Sequence, residues 1–230
     1  MLFILIITSA IFIRYIVLSI IIEKMVKNSK LEKIFIFKRA KNQQKKEILL
    51  SLYSSVIFGV AFYFLYNLWL NGSYTLAGDE YPLWYHPLSI ALALFIHETY
   101  YYWLHRMMHH KKLYRILHKG HHDSVEVSSW TAFAFDPLET IFQVLPFFII
   151  IFIVPLHLYS IIFLLTLMSV SATINHLNYE LYPKFFKTVF PLSLLIGATH
   201  HALHHKEYKS NFGLYFTFWD KWMGTESKKY

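Results

Sequence analysis

Long apolar runs alternate with polar segments along the whole chain. Residues 2–22, 49–70 and 88–104 are three such runs, and residues 137–175 form a longer one with Pro155 near its middle. A helix of about 18 residues is about 27 Å long, so the last run can hold two membrane-crossing helices or one deep re-entrant hairpin. The pattern predicts an all-α integral membrane protein with four to five transmembrane helices and a helical cap.

The first apolar run differs from a cleaved leader and contains one charge. It lacks a basic n-region, which favours a retained membrane anchor over a signal peptide. Arg14 interrupts it, and a charge at mid-depth in a bilayer is unfavourable. Arg14 therefore reaches the interface, or the helix lies shallow, or the side chain faces another helix, and the sequence leaves these three alternatives open.

Basic residues are concentrated in three of the polar segments. Residues 23–47 hold nine Lys or Arg, residues 105–136 hold five and residues 176–230 hold seven, whereas residues 71–87 hold none. The positive-inside rule then places the three basic segments in the cytoplasm, and the 71–87 loop and the apex near Pro155 outside. The predicted location is the bacterial inner membrane, or the endoplasmic reticulum membrane in a eukaryote.

Composition narrows the class of protein. Hydrophobic residues make up 56% of the 230 residues, above the roughly 45–50% usual for soluble domains. The absence of cysteine excludes Cys-ligated zinc, iron–sulfur clusters and thiolate-ligated haem within this sequence. The net charge of +8 lies beside the apolar runs without any nucleic-acid motif, so it indicates membrane topology and lipid contact, and no nucleic-acid partner is predicted.

Histidine is the residue type that indicates chemistry. Fourteen occur, and most form tight clusters in the segments predicted to be cytoplasmic. Histidines three or four positions apart share a helix face, with Cβ atoms about 5–6 Å apart, and can bind one ion together. Nine imidazoles are too many for one zinc ion and suit two ions with open coordination positions. The predicted metal ligands are His105, His109, His118, His121, His122, His176, His201, His204 and His205.

The other five histidines are predicted to be bystanders. His110 and His200 adjoin ligands but point to other helix faces, and His97 lies within a span as a packing or tunnel-lining residue. His86 and His157 fall on the opposite side of the membrane.

Carboxylates could also orient an imidazole or offset the charge of the ions. The candidates for this role are Glu98, Asp123, Asp136 and Asp220.

Two neighbouring metal motifs fail on residue identity. The sequence from His97 and Glu98 begins like the zinc-protease pattern H-E-x-x-H, but Tyr101 stands where the second histidine is required. Soluble di-iron proteins use Glu-x-x-His pairs, and the glutamates near the clusters have no histidine three residues later. Nucleotide-binding glycine motifs and the G-x-S-x-G nucleophile motif are also absent from the sequence.

With these residues in place, the chain resembles the fatty acid hydroxylase superfamily over about residues 88–225. This group includes sterol desaturases and sphingolipid or fatty acid hydroxylases. Two features depart from its usual pattern: Glu98 stands where Asp is common, and His176 is single where some members have two histidines. The resemblance is carried by Tyr101-Tyr102-Trp103-Leu104-His105-Arg106-Met107-Met108-His109, Leu113-Tyr114-Arg115-Ile116-Leu117-His118-Lys119-Gly120-His121-His122, Thr131-Ala132, Asp136-Pro137-Leu138-Glu139, His201-Ala202-Leu203-His204-His205, Asn211-Phe212-Gly213, Trp219-Asp220 and Gly224-Thr225.

The resemblance implies an enzyme. Its histidines would hold two Fe ions as a non-haem di-iron centre that activates O2, and purified protein could carry Zn instead. The substrate would be a membrane lipid such as a fatty acyl chain, sphingolipid or sterol, with hydroxylation favoured over desaturation. Electrons would come from a separate cytochrome b5-like or ferredoxin-like donor with its reductase. Residues 1–87 would form the membrane anchor and basic loop, and residues 88–230 the catalytic domain.

Two other functions remain open. A membrane metal transporter or storage protein would place ligands at mid-membrane along a path, where only His97 is predicted to lie. A zinc-dependent membrane hydrolase would need one ion, three protein ligands and a general base, fewer ligands than the nine found here. The positions of the histidines argue against the transporter, and their number argues against the hydrolase, so the oxygenase is favoured over both.

Overall fold

Helices are the regular secondary structure in the part of the chain that the structure describes. The computed structural model describes residues 2–35 and 40–229, so residues 36–39 of the basic segment 23–47 lie outside it. The all-α prediction is confirmed. In chain order the α-helices of the described residues are α1 (Leu2–Lys27), α2 (Gln43–Leu70), α3 (Tyr85–Met108), α4 (Tyr114–Leu117), α5 (Lys119–His122), α6 (Pro137–Ile153), α7 (Leu158–Asn175), α8 (Ala198–Glu207) and α9 (Phe218–Trp222).

Three of the described helices, α1, α2 and α7, are long and apolar enough to cross a membrane. Helix α6 is apolar but shorter, with 17 residues. Large apolar side chains such as Leu5, Val60 and Ile162 remain exposed on these helices, which is the pattern expected where lipid replaces water around a protein. The total of four to five membrane-spanning helices stays a prediction, because α3 and α6 do not meet the same criteria.

Glycine and proline set several of the helix ends. Gly72 follows α2 with a φ of +69°, and its N–H and that of Ser73 donate to the carbonyls of Trp69 and Leu68, both at 2.9 Å. This is the left-handed cap that glycine permits without strain. Pro155 follows the end of α6, so the apolar run 137–175 divides into two helices there.

The polar segments are sorted to the two ends of the helix bundle. At one end, the Ala77 N–H donates to the Leu156 carbonyl at 3.1 Å, so the 71–87 loop and the turn between α6 and α7 lie together. At the other end, residues 105–136 and 176–229 form a layer that we call the cap. The Ser19 hydroxyl of α1 donates to the Ser129 carbonyl of the cap at 3.1 Å. This sorting agrees with the one predicted from charge, and the cytoplasmic location of the cap stays a prediction.

Candidate metal centre

All nine predicted ligands lie in the cap, and they meet there in two groups. Within each group, one ligand atom from every histidine lies within 4.8 Å of the others, a spacing that could hold a metal ion. All nine side chains are buried except His109, which is half-buried. The group of five consists of His105, His109, His118, His122 and His204. The group of four consists of His121, His176, His201 and His205.

Each group draws on several helices. The C-terminal end of α3, the residues around α5, the end of α7 and the helix α8 all point ligands into the space between them. Neighbours along the chain separate: His121 joins the group of four and His122 the group of five, and His204 and His205 divide in the same way. Successive residues of a helix point about 100° apart, so two adjacent histidines reach two different ions.

Backbone carbonyls fix the protonated nitrogen of several imidazoles. The Nδ1 atoms of His121 and His176 lie 3.1 Å and 2.8 Å from the carbonyl oxygens of Ala134 and Ala172. Because a carbonyl only accepts hydrogen bonds, each Nδ1 carries the hydrogen, and in a neutral ring each Nε2 then has a free lone pair. The same pattern occurs at His105 Nδ1, which is 2.9 Å from the Phe212 oxygen.

The free nitrogens point at one another. His121 Nε2 and His176 Nε2 lie 3.3 Å apart, although neither has a hydrogen to share once both Nδ1 atoms are protonated. His201 and His176, and His122 and His204, approach through their Nε2 atoms at 3.0 Å and 3.1 Å. Two nitrogen ligands about 2.1 Å from one ion lie about 3.0–3.4 Å apart. The donor set therefore fits a transition-metal ion in each group.

The imidazoles are in the protonation state that metal binding requires. Burial lowers the pKa of His109, His118 and His176 to about 3, and that of His121 to about 4. At neutral pH these rings are therefore uncharged, and their lone pairs are available to a cation without prior loss of a proton.

A buried carboxylate that the sequence did not single out for this role touches a ligand. Glu139 Oε1 lies 2.9 Å from His118 Nδ1, and both side chains are fully buried, although the pair lacks the alignment of a hydrogen bond. A carboxylate beside the outer nitrogen of a ligand imidazole orients the ring and raises its basicity. The motif Asp136-Pro137-Leu138-Glu139, at the start of α6, was the feature that could have identified it.

The four carboxylates predicted to support the metal ligands contact different parts of the cap. Glu98 accepts hydrogen bonds from the Leu214 and Tyr215 N–H groups at 3.0 Å and 2.8 Å, and Asp220 accepts those of Phe212 and Gly213 at 2.8 Å each. Both therefore hold the loop whose Phe212 carbonyl faces His105, and within the described residues neither forms a hydrogen bond to one of the nine imidazoles.

The other two predicted carboxylates lie further along the cap. Asp136 accepts a hydrogen bond from the Gly120 N–H at 2.6 Å, which places it directly behind the short helix that carries His121 and His122. Asp123 forms surface ion pairs with Lys46 and Lys119. Asp136 is therefore positioned to support the site, whereas the partners of Asp123 indicate a surface role.

The five remaining histidines lie outside both groups. His110 is exposed, and His86 and His157 face each other at the opposite end of the bundle with ring centroids 5.3 Å apart. His200 is buried in the cap, with Nε2 3.7 Å from Asp220 Oδ2. His97 is buried in α3 and lines a cavity.

That cavity joins the helix bundle to the cap. Apolar side chains such as Phe58, Phe147 and Met168 form most of its wall. Among the nine candidate ligands only His176 lines it. An apolar molecule in the cavity would thus approach the group of four.

Fold and site together define a class: a helical membrane protein whose cap buries two all-histidine groups beside an apolar cavity. Comparison with known proteins then identifies the family. Residues 90–225 match the fatty acid hydroxylase family model, so the chain belongs to the fatty acid hydroxylase family. No solved structure matches it.

Curated relatives of this chain include three sterol enzymes. Lathosterol oxidase of Rattus norvegicus is 32% identical over 185 residues, covering 79% of this chain and 60% of the relative. A Delta(7)-sterol 5(6)-desaturase of Gibberella zeae is 31% identical over 188 residues, covering 80% and 52%. Methylsterol monooxygenase 1 of Rattus norvegicus is 31% identical over 152 residues, covering 64% and 50%. The chain thus spans about half to three fifths of the length of these relatives.

Proposed function

We propose that this protein is a membrane-bound non-haem di-iron oxygenase that hydroxylates or desaturates a lipid, using O2 and electrons from a separate donor. The observation that carries the proposal is the pair of all-histidine groups, with Nε2 atoms 3.0–3.3 Å apart, beside an apolar cavity in a membrane protein. The relatives are named as a sterol desaturase, an oxidase and a monooxygenase, which supports the same reaction class.

The proposed reaction balances in either form. Two bound iron ions would supply the activation of O2 needed to attack an unactivated C–H bond. In hydroxylation, the C–H bond, O2, two electrons and two protons give an alcohol and one water. In desaturation, two neighbouring carbons each lose a hydrogen, and the same inputs give an alkene and two waters. Both forms consume two electrons, which we propose come from a separate donor.

The chain contributes placement, protonation state and exclusion of water. Carbonyl partners orient the rings of His105, His121 and His176, and burial keeps them neutral. The apolar cavity excludes water and can hold a lipid chain next to His176. A lipid can then enter the site from the bilayer without crossing an aqueous phase.

The electron donor is proposed to dock on the cap from the cytoplasm. Exposed basic residues such as Lys111, Lys112 and Lys209 surround this face, and an acidic carrier of the cytochrome b5 or ferredoxin type would be attracted to it. The same orientation places the metal centre on the cytoplasmic side of the membrane.

Metal analysis combined with lipid analysis tests the proposal. Purified protein should contain two iron ions per chain, and cells that express it should contain a new hydroxylated or unsaturated lipid. His121→Ala removes a ligand of the group of four and His204→Ala one of the group of five. Each variant should lose at least about one iron per chain and all product.

His157→Ala is the matched control, because His157 lies at the opposite end of the bundle. This variant should keep both iron and product. A single tightly bound zinc with an unchanged lipid composition would contradict the proposal and favour a zinc hydrolase. Metal uptake into cells without any lipid product would favour a transporter.

A further inference from the structure

Arg14 lies in the wall of the apolar cavity. Ile11, Arg14, Tyr15 and Leu18 all line it, and their spacing of three, four and seven residues places them on one face of α1. The Arg14 guanidinium carbon lies 5.8 Å from the ring centroid of Phe133. Of the three alternatives that the sequence left open, the structure therefore selects the one in which Arg14 faces the interior of the bundle.

The charge of Arg14 has no counter-ion within the described part of the chain. None of the ion pairs among residues 2–35 and 40–229 includes Arg14, and its buried Nε has no hydrogen-bond partner there. A second cavity-lining side chain, His97, is 4% exposed, and its Nδ1 is likewise without a partner. A charge in an apolar environment is unfavourable unless a partner, water or the membrane interface compensates it.

A ligand in the cavity is the natural source of that compensation. The guanidinium group presents several N–H donors in a planar fork that matches the two oxygens of a carboxylate or phosphate. Most of the other side chains around the cavity are aliphatic or aromatic, which suits a hydrocarbon chain. The cavity thus combines one cationic anchor at its wall with an apolar interior that extends to His176.

We propose that Arg14 binds the anionic head of a lipid whose apolar chain fills the cavity, so that the substrate carries a carboxylate or a phosphate. The head held at Arg14 then sets which carbon of the chain lies beside His176 and the group of four. The inference rests on the proposed function only in treating the bound lipid as the substrate.

Ligand binding to the purified full-length protein tests the charge requirement. Palmitate carries the carboxylate, dipalmitoyl phosphatidate carries the phosphate, and methyl palmitate keeps the chain without charge. At least one anionic lipid should bind about tenfold or more tightly than methyl palmitate, and Arg14→Met should weaken that binding by roughly 10–100-fold. Methyl palmitate should bind equally to both proteins, and the two anionic arms distinguish a fatty acid from a phospholipid.

Two further variants separate charge from folding. Lys24→Met removes a cation from the same helix at an exposed position outside the cavity, and it should leave all affinities unchanged. Arg14→Lys keeps a positive charge and should retain part of the preference for the anionic lipid. If Arg14→Met does not fold, Arg14→Lys and the preference of the unmodified protein for an anionic lipid over methyl palmitate still decide the question.

Three results would overturn the inference: binding of neither anionic lipid more tightly than methyl palmitate, binding of cholesterol more tightly than of either anion, or anion binding unaffected by Arg14→Met. The iron content and oxidised products of the same samples report separately on the proposed function. Arg14-dependent binding without oxidised product would refute the enzyme and keep the anion site. Oxidised product without Arg14-dependent binding would support the enzyme and refute the anion site.

Discussion

Gly120 lies between His118 and His121, and its missing side chain lets Asp136 approach the backbone. The Gly120 N–H donates to Asp136 Oδ2 at 2.6 Å, and a Cβ atom at this position would overlap the Asp136 carboxylate. Gly120→Ala should therefore displace α5 and destabilise the protein by about 1–3 kcal/mol. The melting temperature and the iron content of the purified variant should both fall.

Asp136, the residue that an added Cβ at position 120 would overlap, supplies the control for this prediction. Asp136→Ala loses the hydrogen bond but makes room for a methyl group at residue 120. The double variant should thus be less destabilised than the sum of the two single variants, which a double-mutant cycle measures. Strictly additive losses would show that Gly120 and Asp136 act independently.

Glu139 acts on the site through His118. Since the Glu139 carboxyl group lies 2.9 Å from the outer nitrogen of that ring, Glu139→Gln removes an acid that would orient His118 and, once ionised beside a bound ion, offset the charge of that ion. Partners of this kind typically change metal affinity by about 10–100-fold. Competition with a chelator should show a loss of this order, whereas Glu126→Gln, which breaks the surface pair with Lys33, should show none. Equal affinities for both variants would exclude the role.

At the scale of elements, the loop before α9 connects two carboxylates to two ligands. Asp220 and Glu98 each accept two of its backbone N–H groups. The loop in turn places the carbonyl oxygens of Phe212 and Ser210 at 2.9 Å and 2.7 Å from Nδ1 of His105 and His204. Both of these histidines belong to the group of five, so the loop is expected to support that group in particular.

Asp220→Asn tests this connection. The amide keeps one acceptor but turns N–H donors towards a backbone N–H group, so a buried hydrogen bond is lost at about 1–3 kcal/mol. The melting temperature should fall by several degrees, and iron loss should come first from the group of five. Asp79→Asn, on the exposed loop at the opposite end, should change neither. An Asp220→Asn protein with full iron content would refute a role for the loop in holding the ligands.

Helical spacing led to eight of the nine histidines of the two groups, because residues three or four apart share a helix face, and His176 was added from its place at the end of the apolar run 137–175. That the nine bind metal stays a prediction. The spacing did not predict which histidines share a group, because the partners of adjacent histidines come from other helices: His204 for His122 and His176 for His121. Glu98 faces the same side of α3 as His105, as the helical period indicates, but it binds the Leu214 and Tyr215 backbone instead of a ring. The loop that contains Leu214 and Tyr215 reaches Glu98 only in the folded protein, and its residues follow no periodic pattern from which this contact could be predicted.

At the scale of the whole molecule, the sorting of loops to two ends predicts an orientation in the membrane. The described parts of the three basic segments meet at the cap, and the 71–87 loop contacts the turn between α6 and α7 at the other end. The positive-inside rule then places the cap in the cytoplasm. This orientation determines which electron carriers can reach the metal centre.

The absence of cysteine from the sequence makes the orientation directly measurable. Single substitutions Asp79→Cys, in the 71–87 loop, and Lys111→Cys and Lys209→Cys, in the cap, all fall at exposed positions. A membrane-impermeant maleimide added to intact cells should label Asp79→Cys only, and the cap variants should react after the membrane is permeabilised. The unsubstituted protein is the blank. Labelling of Lys111→Cys or Lys209→Cys in intact cells would show that the cap faces the outside. A cytoplasmic electron donor could then not reach the histidine groups.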